Sequence, residues 1–397
     1  MKVLHICTSD SGGAGLCCVR IHEALLRQGV DSKVLVLYRS RDAAPGVFRY
    51  GRLRSLLARL AGRVVCKLRL PLNDEDRALL LSADTRKCYT VPVSRFDISG
   101  HPLVRQADVI HLHWINRFVD YPSFFAKVRK PMVWTLHDEN LFLGIAHYRA
   151  DVLGGNQLEA RYREVKRAAV SKSGQLGIAF LSKMMYDEFA GNEMVAGRPM
   201  VVINNSVDSS KFHPVGKAEA RKAFGIPQDA LVFAFVSATL SDPRKGLRVL
   251  SETLQRMRLP RAMVLAVGNV GAGEAWPLVK AVGAIHDVER MSMAYSCADY
   301  FVMPSVQEAF AQTPIEAMAC GVPAIVFPVS GTEELITAGN GVRCQGFTSA
   351  DLEAGIREAV ATSYDGEAIR KDMATRFSPE VIAGKYLGFY NEVMRLA

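Results

Sequence analysis

Two glutamates, Glu308 and Glu316, stand eight positions apart in the segment EAFAQTPIE. If that segment enters a helix, they lie about two turns apart, on the order of 12 Å at ~1.5 Å rise per residue. The apolar run CADYFVMPS before them (Cys297 to Ser305) reads as a buried parallel strand ending at Pro304. The following AMACGVPAIVFP reads as a helix closed by Gly321, a stop at Pro323 and a further strand. The pair therefore falls where a strand hands over to a helix, the place where open α/β sheets bind ligands and helix N–H groups favour anions. A loop carboxylate beside a solvated helix residue is the plain alternative.

Other residues offer compatible chemistry. Arg244-Lys245-Gly246 follows a strand ending near Ala238. There a lysine point charge and an arginine fork could clamp a diphosphate, or simply be solvated. Ser11-Gly12-Gly13-Ala14-Gly15 lies between the first strand and first helix, where glycine lets backbone N–H groups approach a phosphate. It departs from the dinucleotide fingerprint, because Cys18 takes the third glycine position and no acid ends the second strand, LVLYRS. A nicotinamide enzyme is disfavoured.

His111 and His113 in HLHW share one strand face, and His137 with Asp138 ends the next strand in TLHDEN. A metal would want a third ligand and outer partners that the sequence does not identify. His137 is the better candidate for a substrate contact. Asp74-Glu75-Asp76 has a D-x-D form but follows no apolar strand, so it reads as solvated surface. No metal site is expected.

The elements that must position these residues alternate regularly. KVLHICTS, SKVLVLYR, ADVIHLHW, MVWTLHD, IAFLSK and MVVINNS read as strands, and LCCVRIHEALLRQGV as a helix closing at Gly29. The turn-rich text at 197–214 reads as a crossing between domains, after which the pattern restarts. ALVFAFVSA, AMVLAVG, GAIHDV, DYFVMPS and PAIVFPV form the second set of strands, with LRVLSETLQRM as a helix. Two Rossmann-like, doubly wound α/β domains facing each other across a cleft are expected. Their bounds are 1–198 and 199–378, with a helix at 379–397 that only structure can trace back to the first domain.

Composition bounds the rest. At 397 residues, two domains are the prior, and 49% hydrophobic with 22% charged residues excludes a disordered chain. The eight cysteines show no C-x-x-C pair, which suits a reducing compartment. KVLHIC is too short for a signal peptide and no apolar run reaches about 18 residues, so a cytoplasmic protein is expected. The net charge of +9 is uneven: residues 51–70 carry six cations and no acid. Leu53, Leu56, Leu57, Leu60 and Val64 make one apolar stripe beside those cations. Such a helix either packs on its own sheet or lies on an anionic membrane surface, which would make the protein peripheral. Nucleic acid is not an expected partner, because no aromatics interleave the cations.

Taken together, these residues resemble the retaining nucleotide-sugar glycosyltransferases of family 4, which have the two-domain GT-B architecture. The resemblance runs along nearly the whole chain: the GG loop, TLHD, INNSVDSSKFHP, the R-K-G loop, EAFAQTPIEAMACGVPAIVF and SGTEEL. Cys297 to Val326 is its most specific part. It implies that Glu308 sits against the transferred sugar and Glu316 binds the ribose hydroxyls. Backbone N–H groups near Phe310, Ala311 and Gln312 would hold sugar hydroxyls or phosphate. Lys245 would neutralise the leaving diphosphate as a metal does elsewhere. Gly12 and Gly13 would approach a phosphate, and His137 would touch sugar or acceptor. The implied donor is a UDP- or GDP-sugar with no further cofactor. The implied acceptor is a glycan or lipid-linked oligosaccharide of surface polysaccharide biosynthesis.

Departures are visible. Thr239 stands where the family often has an arginine, and Arg244 is the candidate to replace its charge. Ser206, Ser330 and Glu333 replace common family residues away from the reaction centre, and Ala311 adds a methyl near the donor sugar. Two other readings remain: a non-hydrolysing sugar-nucleotide epimerase, and a catalytically silent nucleotide-sugar-binding protein.

Overall fold

The computed structural model describes residues 1–40, 44–51, 88–152, 157–271 and 273–396. The basic stripe, beyond Gly51, and Asp74-Glu75-Asp76 lie outside the described residues. The chain divides into two compact units: Met1–Leu181 with Met185–Ile203 and Ile382–Ala397, and Ser182–Met184 with Asn204–Val381.

The first unit is built on a seven-stranded parallel sheet. Its strands are β1 (Lys2–Ser9), β2 (Asp31–Tyr38), β3 (Val47–Arg49), β4 (Val109–Leu112), β5 (Met132–Leu136), β6 (Leu176–Phe180) and β7 (Met200–Val202). Their spatial order is β3-β2-β1-β4-β5-β6-β7. The order reverses direction between β1 and β4, where His5 pairs in register with His111. A crevice for ligands opens at the carboxyl ends of such a reversal. Buried on both faces, these strands read as near-continuous apolar runs.

The last helix, Pro379–Arg395, has its side chains from Ile382 in this unit's core with Val3, Val109, Val133 and Ala179. Gly177 on β6 makes room for it, since a Cβ there would stand 2.5 Å from the Val393 side chain. Tyr386 and Tyr390 of that helix donate or accept hydrogen bonds at Thr135 (2.8 Å) and His111 (2.7 Å).

The second unit holds a six-stranded parallel sheet of β8 (Leu231–Thr239), β9 (Ala262–Asn269), β10 (Val279–Ala281), β11 (Tyr300–Met303), β12 (Ala324–Val326) and β13 (Gly341–Arg343). The order β10-β9-β8-β11-β12-β13 places its reversal between β8 and β11. Phe233, Phe235, Leu250, Leu254, Val302, Ile325 and Ile356 form the core under it.

Several expected boundaries shift. Cys297 is not in a strand but caps the helix Val288–Ser296, so β11 is shorter than CADYFVMPS. GAIHDV is not a strand either. Asp287 there accepts the Arg290 N–H at 2.8 Å and starts that same helix, while the edge strand β10 lies upstream. The passage between units falls at Ile203/Asn204.

Candidate functional site

In the second unit, two loops meet at the β8/β11 reversal. After β8 the chain turns through Asp242 into Arg244-Lys245-Gly246, and Gly246 starts the helix Leu247–Met257 with φ +80°. A Cβ on Gly246 would lie 2.3 Å from the Pro304 carbonyl oxygen, so glycine is required for the loop to approach the end of β11. The Val306 N–H then donates to the Arg244 carbonyl at 2.9 Å. This backbone seam brings Lys245 Nζ within 2.5 Å of Glu308 Oε1, across 63 positions of sequence. The Glu308 side chain is 11% exposed and that of Lys245 31%, so the ion pair is shielded yet reachable.

Both cations of this loop are ion-paired. Arg244 forks onto Asp242, with Nε donating to Oδ1 at 3.2 Å and Nη2 to Oδ2 at 3.0 Å. Lys245 is the cation beside Glu308.

The loop from Glu308 to Ala311 is braced from behind. Ser330 Oγ donates to the Ala309 carbonyl at 2.9 Å, and Asn205 Nδ2 to the Phe310 carbonyl at 3.3 Å. The buried Phe310 ring lies against Gly331, where a Cβ would stand 2.5 Å from it. Ser330, a departure from the family residue, thus takes up a bracing role. With the carbonyls tied back, no protein acceptor among the described residues takes the backbone N–H of Phe310 or Ala311. Gln312 begins the helix Gln312–Ala319 directly after them, so the positive end of the helix dipole lies beside those N–H groups.

Glu316 lies on this helix, 8% exposed, and its Oε2 accepts from the Tyr295 hydroxyl at 3.1 Å. Because the helix starts only at Gln312, half of the Glu308-to-Glu316 spacing is loop. The two-turn estimate of their separation therefore does not hold.

In the first unit, the helix Gly12–Arg27 starts on the glycine loop at the end of β1. Gly12 needs its glycine for φ +72°, and a Cβ at Gly12 or Gly13 would meet nothing within 4 Å. The close approach belongs instead to Gly15, where a Cβ would lie 2.6 Å from the Ser9 carbonyl oxygen.

His111 and His113 do share a face, with ring centroids 4.0 Å apart, but they do different things. His111 is a core residue held between Thr135 (2.7 Å) and Tyr390 (2.7 Å). His113 links two other imidazoles: its Nε2 lies 3.0 Å from His5 Nδ1 and its Nδ1 lies 3.1 Å from His137 Nε2. Burial pushes all of these imidazoles down, His137 to about 4 against the pull of Asp138. His5, Cys18 and His113 also bring one potential ligand atom each within 4.8 Å. A metal there would have to break the imidazole contacts that occupy both His113 nitrogens. His5 carries no site signal in sequence, being one histidine inside an apolar strand.

Asp138 is structural rather than open to a ligand. Its carboxylate accepts from His147 Nδ1 (2.5 Å), Trp114 Nε1 (2.9 Å) and the Asn140 N–H (3.0 Å). Burial would raise this carboxyl, but the His147 charge and these donors hold it below its ordinary value. Burial would lower His147, yet Asp138 lifts it to about 9. The two shifts report one attraction and are not added.

Beneath the same loop, Lys166 donates to the Asn140 carbonyl (2.5 Å), Asn140 Oδ1 (3.0 Å) and the Leu143 carbonyl (2.9 Å). Burial pushes its ammonium down to about 7. The Glu159 carboxylate accepts from the N–H groups of Gly144, Ile145 and Ala146.

These shifts make stability depend on pH. His147 sits above its unfolded value, so its contribution is complete below about pH 6.5 and is lost as pH rises through 9. Lys166 sits below its unfolded value, so its contribution rises between about 7 and 10.5 and masks part of that loss in the parent protein. Urea midpoints should therefore compare His147→Gln with the parent. The stability gap is expected to be wider by about 2 kcal/mol near pH 6 than near pH 9.5. An unchanged gap would show that the pair carries no net charge coupling.

Several known proteins are similar to this chain. The family described as "Glycosyl transferases group 1" matches residues 230–362. A D-inositol 3-phosphate glycosyltransferase of Actinosynnema mirum is 27% identical over 401 aligned residues, covering 91% of this chain and 89% of that one. A second, from Catenulispora acidiphila, is 28% identical, with coverage of 84% and 78%. Among solved structures, sucrose-phosphate synthase from Thermosynechococcus elongatus aligns with TM-score 0.68 at 17% identity over 100% of both chains. HepE from Anabaena in complex with UDP-glucose aligns with TM-score 0.65 at 19% identity, covering 99% of this chain and 100% of that one.

Two parallel, doubly wound α/β domains, with polar loops gathered at the strand reversals, are those of the GT-B class of glycosyltransferase. The protein is a transferase of sugars, and the match over β8 to β13 falls on the unit that holds the Lys245–Glu308 pair. The chain is similar to the group 1 glycosyl transferases over residues 230–362, and relatives that span most of its length are 27–28% identical.

Proposed function

We propose that the protein is a retaining, metal-independent transferase that moves a sugar from a nucleoside diphosphate donor to an acceptor hydroxyl. The observation that carries this reading is the Lys245–Glu308 pair beside the braced Phe310–Gln312 cradle. In the free protein the lysine charge is matched by Glu308; with donor present it faces the leaving diphosphate. Glu308 then stabilises positive charge developing at the anomeric carbon. The C–O bond to the diphosphate breaks, and the acceptor oxygen forms its bond on the same face. The leaving phosphate oxygen takes the acceptor's proton.

Glu316 suits the ribose hydroxyls, its carboxylate being oriented by Tyr295. Gly12 and Gly13 leave room for a phosphate or sugar oxygen at the first helix. UDP-sugars are the first donors to try, given the UDP-glucose bound by the similar HepE, with GDP-sugars next.

Two acceptor classes have support. The curated relatives are named for inositol 3-phosphate, which favours a phosphorylated polyol. The basic stripe at 51–70 favours a lipid-linked oligosaccharide on an anionic membrane, with the protein peripheral on its cytoplasmic side. No helix among the described residues is long and apolar enough to cross a membrane.

The test incubates the protein with UDP- and GDP-sugars and either inositol phosphates or lipid-linked acceptor in anionic vesicles, following nucleoside diphosphate release and product by NMR. Acceptor-dependent release with the anomeric configuration kept is expected. An epimerised donor without acceptor would make the protein an epimerase. Donor-dependent thermal stabilisation with no turnover would make it a binding protein.

A further inference from the structure

Three imidazoles run in series from the sheet interior of the first unit to the end of β5. His5 on β1 is wholly buried, with its Nδ1 3.0 Å from His113 Nε2. His113, directly after β4, is 1% exposed, with its Nδ1 3.1 Å from His137 Nε2. His137 is half-buried, and its Nδ1 has no protein partner among the described residues. At the other end, His5 Nε2 is buried without a partner.

Neutral imidazole carries one N–H and one lone pair, so the protons of this series are not independent. Both hydrogen bonds form only if all three rings point their N–H the same way. In one direction His5 donates to His113, His113 donates to His137, and His137 presents Nδ1–H outward. In the other, His137 presents a bare lone pair and an N–H is stranded on His5 Nε2.

The buried end decides between them. Orphaned buried N–H groups are rarer than orphaned acceptors, because a strong donor in apolar surroundings forfeits more. The Cys18 sulfur is within 4.8 Å of these ring nitrogens, and burial holds its thiol protonated, so it is a poor acceptor for that N–H.

We propose that His5 and His113 are positioning residues that lock His137 as its Nδ1–H tautomer, a hydrogen-bond donor for a substrate hydroxyl or phosphate oxygen. An unconstrained neutral histidine in water favours the opposite, Nε2–H form, so the relay imposes a tautomer that side chain would not otherwise adopt. That His137 meets a substrate oxygen rests on the transfer reading above, whereas the tautomer does not.

The full chain, labelled with 15N-histidine, is studied by long-range 1H–15N correlation at a pH where the imidazoles are neutral. His137→Gln assigns the resonances. A pyrrole-type Nδ1 and a pyridine-type Nε2 are expected for His137, and the reverse pattern overturns the relay. His113→Leu should move His137 toward the Nε2–H form. His113→Asn, whose amide nitrogen occupies the place of Nδ1, should restore Nδ1–H.

In transfer assays, His113→Leu is expected to lower kcat/KM about tenfold, the loss of one well-placed hydrogen bond, with recovery to within about threefold in His113→Asn. A His137 tautomer unmoved by His113→Leu overturns the proposal. If that variant fails to fold, His5→Phe and the parent spectrum answer the same question. A parent protein that shows the Nδ1–H form but transfers no sugar refutes the transfer reading and leaves the relay standing.

Discussion

Lys245→Met is expected to lower kcat about 100- to 1,000-fold with little change in folding stability. Methionine keeps the unbranched stem and removes only the charge that sits 2.5 Å from Glu308. That charge acts where water is partly excluded, since Glu308 is 11% exposed and the loop around it is tied back. Electrostatic stabilisation of a leaving diphosphate is worth more there than at an open surface. Glu308→Gln should cost a similar factor, because it leaves the lysine unopposed and, in the proposed mechanism, removes the negative charge that would face the anomeric carbon. The double variant should lose far less than the product of the two, as residues acting as one unit are non-additive. Steady-state kinetics on the three variants decides the matter. A Lys245→Met enzyme within threefold of the parent would remove this lysine from the chemistry.

Gly246→Ala is expected to destabilise the second unit by about 3–5 kcal/mol. Two costs combine. The residue holds φ +80°, a conformation costing non-glycine residues roughly 1–2 kcal/mol. Its new Cβ would also lie 2.3 Å from a backbone oxygen of Pro304, which has no rotamer by which to retreat. Gly225→Ala is the control. There φ is +58°, but the nearest atom is the Lys280 ammonium at 3.0 Å, the far end of a flexible side chain. It should cost only the backbone penalty, about 1 kcal/mol. Urea unfolding of the two variants should differ by at least about 2 kcal/mol. Should the chain yield instead, the Val306–Arg244 seam opens and turnover falls with it. Equal stability and full activity in both variants would show that the approach to Pro304 is not required.

Legibility in the sequence varies by element. The long strands β1, β2, β8 and β9 announce themselves, because strands covered on both faces are apolar throughout. The strands β3 and β13, VFR and GVR, are too short to carry a periodic signal. GAIHDV reads as a strand because it is a short stretch with Ala284, Ile285 and Val288 apolar. Only packing shows Asp287 spending its carboxylate on a helix start. Glu308, Glu316 and Lys245 can be picked out by type and by their place at element junctions.

The sequence by itself determined the alternation of elements, and so the class of fold, since burial on two faces dictates residue type along every strand and helix. It also determined which polar residues fall at strand ends. Pairing among them was decided by tertiary structure alone. Lys245 meets Glu308 across 63 positions because β8 and β11 are neighbours at a sheet reversal, and His5 meets His113 across 108 because β1 and β4 are. Strand order is a property of the crossovers, and no local spacing encodes it.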